Sequence, residues 1–211
     1  LYLPPLAGTA DFDFDGAGVL HYRCRDVLYR GDGQIVAGSV GGIAGVLDDG
    51  RIIVSRSGDA KGTQLAVVDS SGHELSRFPP PDFYVTDLAS GFYPYNSSTT
   101  VEGNSAYVAF GRRYSLGGDT TRSEVVVYEL DQESIWRFVR RVEMDARGNV
   151  YGPVAFADGT VLSMEDDLDD LKFGKRVVAH LPNNTTKVVW RESEAGVDLE
   201  FEAALQVGPR R

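Results

Sequence analysis

One cysteine, Cys24, stands in 211 residues, so no disulfide can form within the chain, and the expected role of this thiol is an inert packing one. Long apolar runs are missing too: nothing approaches the roughly 20 residues that a helix needs to cross a bilayer. No segment keeps a helical period over about 11 residues, which argues against an α-helical domain. Histidine is scarce, and His21, His73 and His180 lie far apart, so no local histidine metal site is visible. The patterns G-x-S-x-G, G-x-x-x-x-G-K-[ST] and H-E-x-x-H are all absent. Positive charge is in deficit: the net charge is -10 at pH 7. Such a field repels phosphate backbones, and no nucleic-acid partner is expected.

Turn-formers and strand-formers fill the chain instead. The 24 glycines sit between short runs rich in Val, Ile, Tyr and Phe, and the same order of pieces recurs. "GVLDDGRIIVS" at Gly45 to Ser55 is two apolar runs joined by Asp-Gly, and "VAFADGTVLS" returns at Val154 to Ser163. Each is followed by a polar connection, a third run ("QLAVVD", "RVVAHL"), a tight turn ("SSG", "PNN") and a fourth run. A third copy runs through "SAYVAF", "VVVYEL" and "IWRFVRRV", and a compressed one through "DFDF", "VLHYR", "DVLYR" and "QIVAGS". The Asp-Gly pairs suit two-residue hairpins with positive φ.

These copies give the expected fold class: all-β, a β-propeller-like array of about four four-stranded antiparallel blades within one domain over 1–211, standing alone or as part of a larger propeller. The blades fall at about 9–39, 43–78, 99–145 and 150–192, with a trailing strand at 199–207. A β-sandwich is the alternative, since its short strands and turns leave a similar trace. "MDARGNVYG" at Met144 to Gly152 resembles the repeats of β-propeller proteins of the NHL, YVTN and SMP-30-like groups. That resemblance implies a propeller and no particular functional residues.

The connections after first and third strands are short, whereas those after second strands and between copies are long. The long class holds Arg56 to Thr63, Gly111 to Glu124, Glu165 to Lys175 and the link Pro79 to Ser98. Variable loops on a rigid scaffold are where recognition concentrates. Tyr84, Phe92, Tyr93 and Tyr95 in the link offer rings for a sugar or a protein side chain, and Arg112 and Arg113 could grip a carboxylate. Glu165, Asp166, Asp167, Asp169 and Asp170 form an acidic run whose oxygens suit a hard cation such as Ca²⁺, although a solvated acidic loop explains them as well. "DFDFDG" matches the start of a calcium loop, but Tyr22 stands where the closing glutamate belongs.

The function expected is a non-enzymatic module that binds a protein or a glycan through the long connections, with no cofactor beyond that Ca²⁺. The rival readings are a propeller hydrolase of lactonase or glycosidase type using a cation on the acidic run, and a structural part that another chain completes. Asn96-Ser97-Ser98, Asn183-Asn184-Thr185 and Asn184-Thr185-Thr186 fit the N-glycosylation pattern. The chain begins at Leu1 rather than Met. The triplets make an extracellular or cell-surface setting the expectation, and the start at Leu1 fits a processed product, an excised domain or an incomplete record.

Overall fold

A computed structural model describes residues 12–56, 64–78, 97–117, 120–144, 150–166 and 174–191. Among the described residues sixteen strands form four antiparallel sheets of four. The first contains β1 (Phe12–Phe14), β2 (Leu20–Cys24), β3 (Val27–Arg30) and β4 (Ile35–Gly38). The second contains β5 (Gly42–Val46), β6 (Ile52–Arg56), β7 (Gln64–Val68) and β8 (Glu74–Phe78). The third contains β9 (Ser97–Glu102), β10 (Ser105–Gly117), β11 (Thr120–Leu130) and β12 (Trp136–Met144). The fourth contains β13 (Val150–Ala155), β14 (Val161–Asp166), β15 (Lys175–His180) and β16 (Thr186–Arg191).

Every sheet is a meander in chain order, which is the blade unit of a propeller. The expected all-β, propeller-like class is therefore observed. Among the described residues no strand crosses from one sheet to another, as a Greek-key sandwich requires. The trailing segment 199–207 lies outside the described residues.

The chain divides into two compact units. The first comprises Leu1–Phe83, Val101–Ala106 and Glu129–Arg137; the second comprises Tyr84–Thr100, Tyr107–Tyr128 and Phe138–Arg211. In the first unit β5 lies against β1 and β2, and Leu28, Val36 and Val40 share a core with Val46, Ile52, Val54 and Val68. Ile52, Ile53 and Val54 are all wholly buried, so β6 is covered on both faces and reads as a continuous apolar run. Each such side chain contributes about 1.5–3 kcal/mol by leaving water. In the second unit Tyr107, Ala109, Val125, Val127 and Val142 pack with Ala155 and Val161.

The structure corrects the sequence reading in three places. The first strand of the third sheet is Ser97–Glu102, ahead of the "SAYVAF" run, because Gly103 (φ 61) makes a turn that lacks the Asp-Gly signature. The stretch Gly111 to Glu124, expected as a loop, is almost all strand: β10 and β11 run for 13 and 11 residues. Tyr114, Thr120 and Thr121 favour extended backbone there, so the chain continues as a ribbon. Arg112 and Arg113 consequently belong to β10, not to a loop. Cys24 is half-buried, in β2.

The third correction concerns the tight turns. Seven hairpins share one closure: the first residue donates its N–H to the carbonyl four residues on, and the fourth donates back to the carbonyl of the first. Leu47–Arg51, Asp69–His73 and Phe156–Thr160 are examples. Among their loop residues only the fourth lies at positive φ, as Gly18, Gly33, Gly50, Gly72 and Gly159 do. These are three-residue loops ending in a left-handed bulge, not the two-residue turns expected from Asp-Gly. At Gly72 a Cβ would also stand 1.7 Å from the Val36 carbonyl oxygen, so glycine is required twice over.

An Asx side chain completes each closure. Asp15, Asp69 and Asp131 occupy the first position, and each Oδ1 accepts the N–H groups two and four residues on. Asp32, Asp49, Asp158 and Asn183 occupy the third position and accept the N–H two residues on. Either way the same donor, that of the fifth residue, is satisfied. The His73 N–H, more than any other group, holds the Asp69 carboxyl below its ordinary range. At Asp131 burial opposes ionisation, but the Ile135 N–H and Arg137 outweigh it and the carboxyl is again lowered.

Candidate functional site

Two turns break the glycine rule. Ser134 (φ 63) and Asn184 (φ 62) occupy the left-handed position in the β11–β12 and β15–β16 turns. A guanidinium grips each of them. Arg51, the last residue of the β5–β6 turn, is 8% exposed. It donates from Nη1 to Ser134 Oγ at 2.9 Å and to the Asp131 carbonyl at 3.0 Å, and from Nη2 to the Asn104 carbonyl at 2.8 Å. Asp49 holds it in place, accepting from Nε at 2.8 Å. One side chain thereby ties both turns of the following sheet, within the first unit.

Arg140, on β12, does the same within the second unit. Its Nη1 donates to the Gly159 carbonyl at 2.9 Å and the Leu181 carbonyl at 3.3 Å, and its Nη2 to Asn184 Oδ1 at 3.3 Å. A left-handed non-glycine residue costs about 1–2 kcal/mol. A charge-assisted hydrogen bond contributes about 1.5–3 kcal/mol, enough to offset it.

The fourth sheet contains the densest polar cluster. Ser163 and Glu165 are two apart on β14 and share a face; Arg176 pairs across from Glu165 and His180 across from Val161 on β15. Ser163 Oγ donates to Glu165 Oε1 at 2.9 Å, and His180 Nε2 lies 3.0 Å from Ser163 Oγ and 3.1 Å from Glu165 Oε1. Arg176 Nη2 donates to Glu165 Oε2 at 3.2 Å. Ser163, Glu165 and His180 are buried. Burial raises the Glu165 carboxyl, but the bonds from His180 and Ser163 and the charge of Arg176 outweigh it and hold the group below its ordinary value.

Serine, histidine and a carboxylate together invite comparison with a nucleophilic triad, but the geometry differs. A relay places serine and acid on opposite ring nitrogens. Here both meet Nε2, and Nδ1 is buried without a hydrogen-bond partner among the described residues. Since the single Ser163 hydroxyl hydrogen goes to Glu165, the contact to His180 is favourable only with the ring proton on Nε2. The cluster satisfies the Ser163 hydroxyl and the Glu165 carboxylate, and Ser163 itself is buried.

Of the acidic run, Glu165 lies within β14 with both oxygens occupied, and Asp166 ends that strand opposite Lys175. Asp167, Asp169 and Asp170 lie outside the described residues, as do Tyr84, Phe92, Tyr93 and Tyr95. No side-chain placement is described for Arg112 and Arg113. Among the described residues no three His, Cys, Asp or Glu side chains gather to hold a metal ion, and no helix is long and apolar enough to cross a membrane. The "DFDFDG" carboxylate Asp15 gives Oδ1 to its own turn and Oδ2 to His21 at 3.4 Å. Sequence reasoning missed Arg51 and Arg140, although Ser134 and Asn184, standing where other copies have glycine, were a visible signal.

No family model matches the chain, and no curated protein matches it. Among solved structures it is similar to a subtype N11 neuraminidase-like protein of A/flat-faced bat/Peru/033/2010 (H18N11), with a TM-score of 0.40 and 11% identity over 80% of this chain. It spans 44% of that protein's chain. It is also similar to a protein of unknown function from Bacteroides caccae, with a TM-score of 0.32 and 18% identity, covering 86% of this chain and 80% of that one.

Proposed function

We propose that the protein is a non-enzymatic binding module that recognises a protein or glycan through the connections opposite its tight turns. The observation that carries this is the contrast between the two ends of the sheets: one end is uniform, whereas the connections at the other run from two residues after β2 to eight after β14. At one end seven hairpins repeat a single closure, and the arginines are spent on holding turns. A meander sends the second-to-third connection and the link to the next sheet to the other end, and there the sequence varies most. The aromatic link with Tyr84, Phe92, Tyr93 and Tyr95 belongs to that set, as do Asp167, Asp169 and Asp170. An extracellular setting would bring such an end to glycans.

The test uses labelled protein on a printed glycan array and a panel of purified extracellular proteins. Tyr93→Ala with Tyr95→Ala is expected to weaken any hit about tenfold or more while leaving the melting temperature unchanged. Undiminished binding by that variant would count against these residues. Calcium at millimolar concentration is expected to leave the melting temperature unchanged; a rise of several degrees would show a folded-state cation site and favour the hydrolase reading.

A further inference from the structure

Within the first unit, the first sheet meets the second through Leu28 and Ala37, cross-strand partners that belong to the shared core. Residues directly opposite each other on neighbouring strands share a face. The register therefore sets Phe12, Tyr22, Tyr29 and Ile35 in one row across all four strands, on the face turned away from that core. The pairs Phe14–Leu20 and Cys24–Val27 flank the row on the same face. In the second sheet the face turned away from the shared core carries Ile53 opposite Val67, and both are wholly buried. In the first sheet Phe12 is 65% exposed, Ile35 63% and Phe14 44%.

No aspartate, glutamate, lysine, arginine or histidine stands on this outer face, although the chain has a net charge of -10. Asp13, His21, Arg23 and Arg30 all take the alternate positions and point the other way. An exposed apolar patch of this kind marks a place where a partner docks. Tyr22 and Tyr29 stack at 5.3 Å with their planes 14° apart, and Phe12 meets Phe14 edge-on at 6.4 Å. The tyrosine rings turn their faces to each other, an arrangement that suits packed side chains better than a stacked sugar.

We infer that this face docks a second copy of the chain, sheet against sheet, about a twofold axis that runs along the strands. Such an axis sets Phe12 of one copy against the partner's Ile35, and Ile35 against the partner's Phe12. A large ring then faces a smaller aliphatic group at both ends of the row, and the two sheets stay aligned, as packed sheets prefer. Two chains of net charge -10 repel one another, and this face lets them meet without pressing like charges together. Four strands span only about 14 Å, less than a standard interface covers, so the dimer is reversible and of micromolar affinity. This face is separate from the loop end proposed above and does not rest on it.

Sedimentation equilibrium of the whole chain, from about 1 to about 300 µM, reads the association. A monomer–dimer equilibrium is expected, strengthening as salt rises from about 50 to about 500 mM because the mutual repulsion is screened. Phe12→Lys and Ile35→Glu, both at exposed positions, are each expected to weaken it about tenfold or more with an unchanged melting temperature. Combined in one chain they are expected to restore it to within about threefold of the wild type, since each introduced charge then meets its opposite across the axis. A monomer at every concentration, a dimer indifferent to both substitutions, or a double variant no better than the single ones would each overturn the inference. A monomer whose melting temperature falls with Phe12→Lys would overturn it in favour of residues 1–11 of the same chain as the cover of this face.

Discussion

Arg51 in the first unit and Arg140 in the second do the same work under different conditions. Each reaches the two turns of the sheet that follows, and each bonds the side chain of the one turn residue that takes a left-handed conformation without being glycine. Arg51 is buried, fixed by Asp49 and bonded at 2.8–3.0 Å; Arg140 is half-buried and its bonds reach 3.3 Å. The partners differ in the same sense. Asparagine tolerates the left-handed region better than serine, so Asn184 needs less support than Ser134. The comparison teaches that a turn can dispense with glycine where a neighbouring sheet supplies a donor to hold it.

Breaking the tighter clamp is expected to have the largest effect. Arg51→Ala should cost about 3–4 kcal/mol in urea denaturation, because it strands two carbonyls and the Ser134 hydroxyl in a buried setting. A loss below about 1 kcal/mol would show that water replaces the guanidinium freely.

A buried polar group of the second unit that is not a clamp gives the next largest effect. Glu165→Gln should cost about 2–3 kcal/mol at pH 7 by leaving Arg176 without its counter-charge. The Glu165 carboxyl titrates below its ordinary value of 4.5 in the folded protein. Its stabilisation is therefore complete above that pH and disappears as pH falls through the lower folded value. The wild type should lose this part of its stability on acidification, and Glu165→Gln should not. Parallel stability–pH curves for the two proteins would contradict the assignment.

Arg140→Ala should cost less, about 1–2 kcal/mol, since water can reach some of the groups it leaves behind. Equal losses at Arg51 and Arg140 would erase the distinction drawn between them.

Much of the scaffold was legible in the sequence because local chemistry wrote it. Alternating or continuous runs of Val, Ile and Tyr marked strands such as Ile52–Arg56 and Lys175–His180, and glycine at the fourth place in five of the seven turns marked where φ must be positive. The turn type was less legible, since Asp-Gly suits two hairpin classes and only the hydrogen-bond pattern separates them. The extent of β10 and β11 was obscured because Arg112, Arg113, Gly117 and Asp119 read as loop chemistry within a stretch that is mostly strand. The polar cluster was half visible: Ser163 and Glu165 alternate with apolar neighbours, but only strand pairing brings His180 beside them. Arg51 and Arg140 were hidden because their partners lie in other sheets, 53 and more residues away for Arg51.

The smallest expected effect is also the most direct test of the clamp. Ser134→Gly relieves a left-handed serine and forfeits its bond to Arg51, so alone it should change stability by less than about 1 kcal/mol. In the Arg51→Ala background that bond is already gone, and the same change should stabilise by about 1–2 kcal/mol. Urea denaturation of the four proteins measures the coupling: a clear stabilisation seen only without Arg51 is the expected result. An identical effect of Ser134→Gly in both backgrounds would contradict the claim that the guanidinium holds this turn.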